Sequence, residues 1–150
     1  MRIIIQRVKQ AKVEVDQKTV GEINSGLLVL VGIEDTDGLD DITWVARKLV
    51  NMRIFADENE HMNLSCLDIN GEILVVSQFT LHASTKKGNR PSFIKAAKPA
   101  QAEHVYHQFV MHLKENYSLA VKTGKFGEMM DVSLVNDGPV TIFMDSKNKE

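Results

Sequence analysis

Cysteine is almost absent from the 150-residue chain. Cys66 stands alone, so no internal disulfide and no thiolate metal cluster can form, and the chain reads as a cytoplasmic protein. Long hydrophobic runs are missing as well. The longest, Leu27 to Val31, falls far short of the ~20 residues a membrane helix needs, and the apolar patch Ile3–Ile5 is too short for a signal peptide. The familiar catalytic loops are absent: there is no G-x-S-x-G elbow, no P-loop and no G-x-G-x-x-G turn. Acidic residues are missing from Ile73 to Ala102, a stretch that holds Lys86, Lys87, Arg90, Lys95 and Lys98. That segment carries +5 against −2 for the whole chain, so the remainder carries −7. A local basic patch on an acidic body suits contact with a few phosphates rather than general coating of nucleic acid, although a solvated basic loop has the same composition.

What is present is the composition of an ordinary globular domain, 43% hydrophobic and 25% charged, in a length that fits one domain over 1–150. Strands are expected at 2–8, around Val13 and Val15, at 19–23, at 53–55 and in the β-rich run 72–78. Residues 26–33 read as a strand buried on both faces. A helix follows in which Ile42, Val45, Ala46, Leu49 and Val50 share one face, with Asp37 as its candidate N-cap. A second runs from Pro99 to Asn116, its apolar face Ala102, Val105, Tyr106, Phe109, Val110 and Leu113. Strands near 119–122, 130–135 and 140–144 complete the chain, and the tail 145–150 is expected to fray. The order implies an α+β fold, a largely antiparallel or mixed sheet covered by two long helices.

His104 and His107, at i and i+3 with His112 nearby, have metal-ligand spacing, but they lie off the apolar face with no acidic or thiol partner fixed by sequence, so a solvated helix side is the better reading. Two segments stand out. In Ser77-Gln78-Phe79-Thr80-Leu81 a very apolar strand runs abruptly into polar groups. Such a strand end can present side chains and N–H groups to a ligand; equally, Ser77 and Thr80 can simply terminate the strand. Asn136-Asp137-Gly138-Pro139 has the composition of a turn between two strands. Pro139 has no N–H to give a sheet and Gly138 no side chain, so the segment offers bare carbonyl acceptors. An ordinary hairpin turn with a trans bond is the commoner outcome, and a cis bond is open.

Together these segments resemble the D-aminoacyl-tRNA deacylases. The similarity covers nearly the whole chain: Arg2–Val15, Gly26–Ile33, Asn63–Ser65, the SQFTL run Ser77–Leu81, Lys87–Phe93 and Thr123–Thr141, which ends in NDGPVT. Glu128 departs from the alanine frequent in the family after Phe-Gly. The resemblance implies an enzyme that hydrolyses the ester between a D-amino acid and the 3′-terminal ribose of tRNA; if L side chains are rejected by steric exclusion, glycine, which has none, is expected to be a partial substrate. It implies a homodimer without metal, cofactor or membrane, in which a cis Gly138-Pro139 enters the partner's active site and reads chirality with its backbone carbonyls. Arg7 is similar to the arginine that braces that dipeptide, and Met129 joins them at the substrate. Ser77, Gln78, Phe79 and Thr80 are the candidate catalytic set. Backbone N–H groups around Gln78 and Phe79 are expected to hold the oxyanion, with water as nucleophile and Thr80 orienting substrate, because no base is placed beside its hydroxyl. Lys86, Lys87 and Arg90 are expected to meet phosphates of the acceptor end. The rival readings are a non-catalytic RNA-binding dimer and a small-molecule esterase.

Overall fold

The computed structural model describes residues 1–149. The chain opens with one long strand, β1 (Arg2–Val15), where alternation suggested two. Strands β2 (Lys18–Ile23) and β3 (Gly26–Gly32) follow, then helix α1 (Leu39–Asn51), a small hairpin of β4 (Phe55–Ala56) and β5 (Met62–Leu64), and strand β6 (Glu72–Ser77). A 3-10 turn (Phe79–His82) leads through a loop to helix α2 (Pro99–Asn116), β7 (Ala120–Thr123) and β8 (Asp131–Asp145). The main sheet runs β2-β1-β3-β6-β7, with β8 also on β1. β3, β6 and β7 are mutually parallel and the other pairings antiparallel, so the sheet is mixed.

Period-two burial explains how the layers form. Leu27, Val29 and Val31 of β3, with Ile73 and Val75 of β6, face both helices and join one large core. Leu28, Leu74 and Val76 face the other way and join Val8, Ala11, Val13 and Ile23 in a second cluster beneath the far half of β1 and β2. Each such side chain, fully buried, contributes about 1.5–3 kcal/mol. The expected apolar faces of both helices are the buried ones.

Three local expectations are corrected. Gly38, not Asp37, is the N-cap of α1, and its N–H donates to Asp41 Oδ2 at 3.0 Å. Asp37 instead is buried in an ion pair with the Met1 amino group and accepts the Glu34 N–H at 2.9 Å. A carboxylate so placed satisfies a buried cation, which outweighs a capping bond at an exposed helix end. The tail is docked rather than frayed. Ser146 Oγ donates to Asp41 Oδ1 at 2.6 Å, Lys147 Nζ donates to Asp41 Oδ2 at 2.8 Å, and Lys149 Nζ lies 5.1 Å from the Trp44 ring centre. Glu150, part of the same expectation, lies outside the described residues. Burial opposes ionisation of Asp41, but its bonds from Lys147, Ser146 and the Gly38 N–H outweigh that and lower its pKa to about 2.

The third correction concerns Asn136–Pro139, which is not a hairpin turn. Both halves of β8 pair antiparallel with the same strand, β1. Thr141 lies opposite Gln6 and Asn136 opposite Val8, so four residues, Asp137 to Val140, stand against Arg7 alone. The excess bulges out of the ladder, at a residue that has no N–H to lose from it.

Candidate active site

Because β3 and β6 are parallel, their C-terminal ends reach the same edge of the sheet. Ser77, the last residue of β6, pairs with Val31, and the Gln78 N–H donates to the Val31 carbonyl at 2.7 Å. The backbone then winds into the 3-10 turn, where the Leu81 N–H donates to the Gln78 carbonyl at 3.2 Å and the Ala83 N–H to the Thr80 carbonyl at 3.0 Å. Arg2 anchors the turn by donating to the Leu81 carbonyl at 3.1 Å. The Gln78 side-chain amide donates to Thr80 Oγ1 at 2.5 Å. An amide N–H donor cannot take a proton from that hydroxyl, so the threonine has no base within its own turn. Of the two expected oxyanion donors, the Gln78 N–H is engaged in the sheet, whereas the Phe79 N–H stands at the start of the turn, where no intrahelical acceptor exists.

This strand end forms one wall of a cleft of about 690 Å³. Ser77, Gln78 and Phe79 line it, as does Met129; Thr80 is not among the lining residues and is tied to them by the bond it accepts from Gln78. Phe93 and Phe126, not singled out in the sequence, complete the apolar walls. The Phe79 and Phe93 rings meet edge to face at 5.1 Å. Phe126 packs on Tyr106, whose hydroxyl donates to the Val75 carbonyl at 2.8 Å and whose pKa burial pushes up, so it stays protonated. Aromatic residues inside motif segments are the one sequence signal that could have found Phe93 and Phe126; their meeting across 33 residues is a tertiary fact.

The basic loop beside the cleft is shaped by a two-bond bridge between Ser84 and Ser92, 2.8 and 3.0 Å. It closes off a tip where Lys86, Lys87 and Arg90 are all exposed, and Phe93 leads from the bridge into the cleft. Lys98 reaches the cleft itself. Among the described residues no group of three or more His, Cys, Asp or Glu side chains is placed to hold a metal, and His107 stands beside Glu103 at 3.7 Å on the exposed side of α2. Burial pushes the Cys66 thiol up to about 12, so it is inert as a nucleophile.

Arg7, Gly138 and Pro139 are not at this cleft. The Gly138-Pro139 bond is cis, and both residues are exposed. Arg7 Nε donates to the Asp137 carbonyl at 2.7 Å and lies 3.2 Å from Asp137 Oδ2, while the same guanidinium donates to the Ile54 carbonyl. The tip is therefore fixed from beneath and bare on top. A Cβ on Gly138 would lie 2.9 Å from the Val140 nitrogen and 2.2 Å from the Asn136 side-chain amide.

Comparison with known proteins places the chain by its sequence. The family model described as D-Tyr-tRNA(Tyr) deacylase matches residues 4–145. A curated D-aminoacyl-tRNA deacylase of Flavobacterium psychrophilum is 61% identical over 150 residues, all of both chains, and one of Thermosipho africanus is 58% identical over 147 residues, 98% of each. Among solved structures, one titled c-Myc DNA Unwinding Element Binding Protein superposes with a TM-score of 0.92 at 41% identity, covering 97% of this chain and 98% of that one. A probable eukaryotic D-amino acid tRNA deacylase shares the fold, with a TM-score of 0.80 at 18% identity over 95% of this chain and 97% of that one.

Proposed function

Since the chain belongs to the D-Tyr-tRNA(Tyr) deacylase family, a family of hydrolases that act on aminoacyl-tRNA, we propose that its cleft is where the ester of D-aminoacyl-tRNA is cleaved and that a second copy of the chain completes it. The observation that carries this reading is the juxtaposition at one sheet edge: the Ser77–Phe79 strand end, the apolar cleft and the lysine-bearing loop that leads into it. The RNA phosphates meet Lys86, Lys87 and Arg90, and the 3′-terminal aminoacyl group enters the cleft. Water attacks the ester carbonyl with help from the neighbouring ribose 2′-hydroxyl. The Phe79 N–H meets the developing oxyanion, a device worth about 2.7–4 kcal/mol per donor. Thr80 orients the substrate through Gln78, whose side-chain amide it anchors in the cleft wall.

Chirality is read by the other region. Gly138-Pro139 stands away from its own cleft and is bare, so it serves the cleft of the partner copy, where its carbonyls receive the α-amino group and its bulk excludes an L side chain. Val132, Leu134, Val135 and Phe143 are exposed on the same strand, an apolar surface suited to burial against a second copy. Glycine, with no side chain to exclude, is hydrolysed in part. The whole activity resides in one domain spanning 1–150 and acts in the cytoplasm without metal or cofactor.

Incubation with D-tyrosyl-tRNA and L-tyrosyl-tRNA in parallel is the test. Release of the D-amino acid alone supports the reading. Binding without release of either leaves an RNA-binding module, and equal release from free D-amino-acid esters leaves a small-molecule esterase. Reversing the charge of Lys86, Lys87 and Arg90 is expected to weaken tRNA binding and flatten its dependence on salt; an unchanged slope removes these residues from the phosphate contact.

A further inference from the structure

The cleft is apolar but not electrically symmetric. Of the residues that line it, only Lys98 and Glu128 are charged. Lys98 is the N-cap of α2 and the last cation of the acid-free segment that begins at Ile73, so it continues the basic loop, and the helix adds the positive end of its dipole. Glu128 belongs to a different wall, the turn between β7 and β8. Its N–H donates to the Lys125 carbonyl at 3.3 Å, and Gly127 takes φ +77° at the third position, the pattern of a type II turn. The turn is held in turn by the Lys125 N–H, which reaches the Met130 sulfur at 3.4 Å. Glu128 Oε1 lies 3.3 Å from Lys125 Nζ, but both side chains are about half exposed, 48% and 59%, so the pair is screened, and Glu128 remains the one acidic residue of the cleft lining.

The substrate proposed above has a matching polarity: phosphates at the RNA end, and an amino group at the aminoacyl end. A polyanion is drawn to the Lys98 side and repelled from the Glu128 side, which places the aminoacyl group nearer the carboxylate. The geometry points to Glu128 as a specificity-determining residue: it favours D-aminoacyl groups with a positively charged side chain over neutral ones, and neutral over negatively charged ones. The inference rests on the deacylase reading and makes the site selective in charge while it stays tolerant of shape. Lys125 moderates the effect by pairing with the carboxylate.

One tRNA charged chemically with D-lysine, D-glutamine or D-glutamate keeps the RNA constant. The wild-type chain is expected to hydrolyse the three in that order of kcat/KM, with steps of about two- to fivefold at low salt that shrink as salt is raised. Glu128→Gln is expected to bring the three rates together, and Lys125→Met to spread them further apart. Equal rates in the wild type, or a ratio that survives Glu128→Gln even where all three rates fall, overturns the proposal. Absence of hydrolysis of the D-glutamine substrate overturns the deacylase reading itself, which separates the two failures.

Discussion

Two segments with similar promise in the sequence end in opposite situations. Ser77–Thr80 is held within its own chain: its first N–H after the strand goes to Val31, its threonine hydroxyl accepts from the Gln78 amide, and Ser77, Gln78 and Phe79 form the wall of a cleft. Asp137–Pro139 is gripped from one side by Arg7, and Gly138 and Pro139 are exposed on the other. The first is a site in search of a substrate. The second is a finished surface in search of a site. A backbone held that firmly while left uncovered is what the trans-acting role proposed for it requires, because a mobile tip could not discriminate two mirror-related substrates.

The largest expected effect comes from breaking the second region. Gly138→Ala brings a Cβ to 2.9 Å from the Val140 nitrogen, and the resulting displacement is expected to cost on the order of 10²-fold in kcat/KM for D-tyrosyl-tRNA. Wild-type rates would show that the tip does not touch the substrate. Arg7→Lys comes next. A lysine cannot serve Asp137 and Ile54 from one planar fork, so stability to denaturant is expected to fall by about 1–2 kcal/mol, with activity reduced further than stability alone explains. Loss of stability with full activity in the remaining folded protein would make the arginine a purely architectural residue.

In the first region the expected effect is smaller. Thr80→Ala removes a hydroxyl that has no base within its own turn, and single-turnover hydrolysis is expected to fall less than about tenfold. Complete loss, or a trapped acyl-threonine, would make Thr80 the nucleophile after all. The smallest effect lies away from both regions and sharpens the contrast as a control. Asp41 ionises at about 2 in the fold against an ordinary value of 3.8. The unfolded chain therefore takes up its proton first, so the contribution is complete above about pH 4 and is lost as pH falls from there towards 2. Asp41→Asn is expected to flatten the stability profile in that window; an unchanged slope would mean that the tail contacts do not hold its charge.

Much of the fold was legible because it is periodic. The faces of both helices, the doubly buried β3 and the β-rich β6 follow from spacings within a few residues. The SQFTL strand end was legible as well. Four residues escaped for identifiable reasons. Phe93, Phe126 and Lys98 look like loop or helix-start residues until a cleft gathers them, and Glu128 reads as a charge near the site rather than as part of its wall. Asp37 was misread because an acid before a helix is a good cap locally, whereas its partner, the Met1 amino group, is 36 residues away.

By itself, the sequence determined the elements, the acid-free segment and the lack of any internal disulfide, since each depends on residues close together in the chain or on composition alone. Only the tertiary structure decided that residues 131–145 form one strand along β1, that the Gly-Pro tip is a bulge rather than a hairpin, and that Arg7 holds it across 130 residues. Strand register is a choice among partners far apart in sequence, and no local propensity distinguishes a turn from a bulge when both need a residue that gives nothing to the ladder.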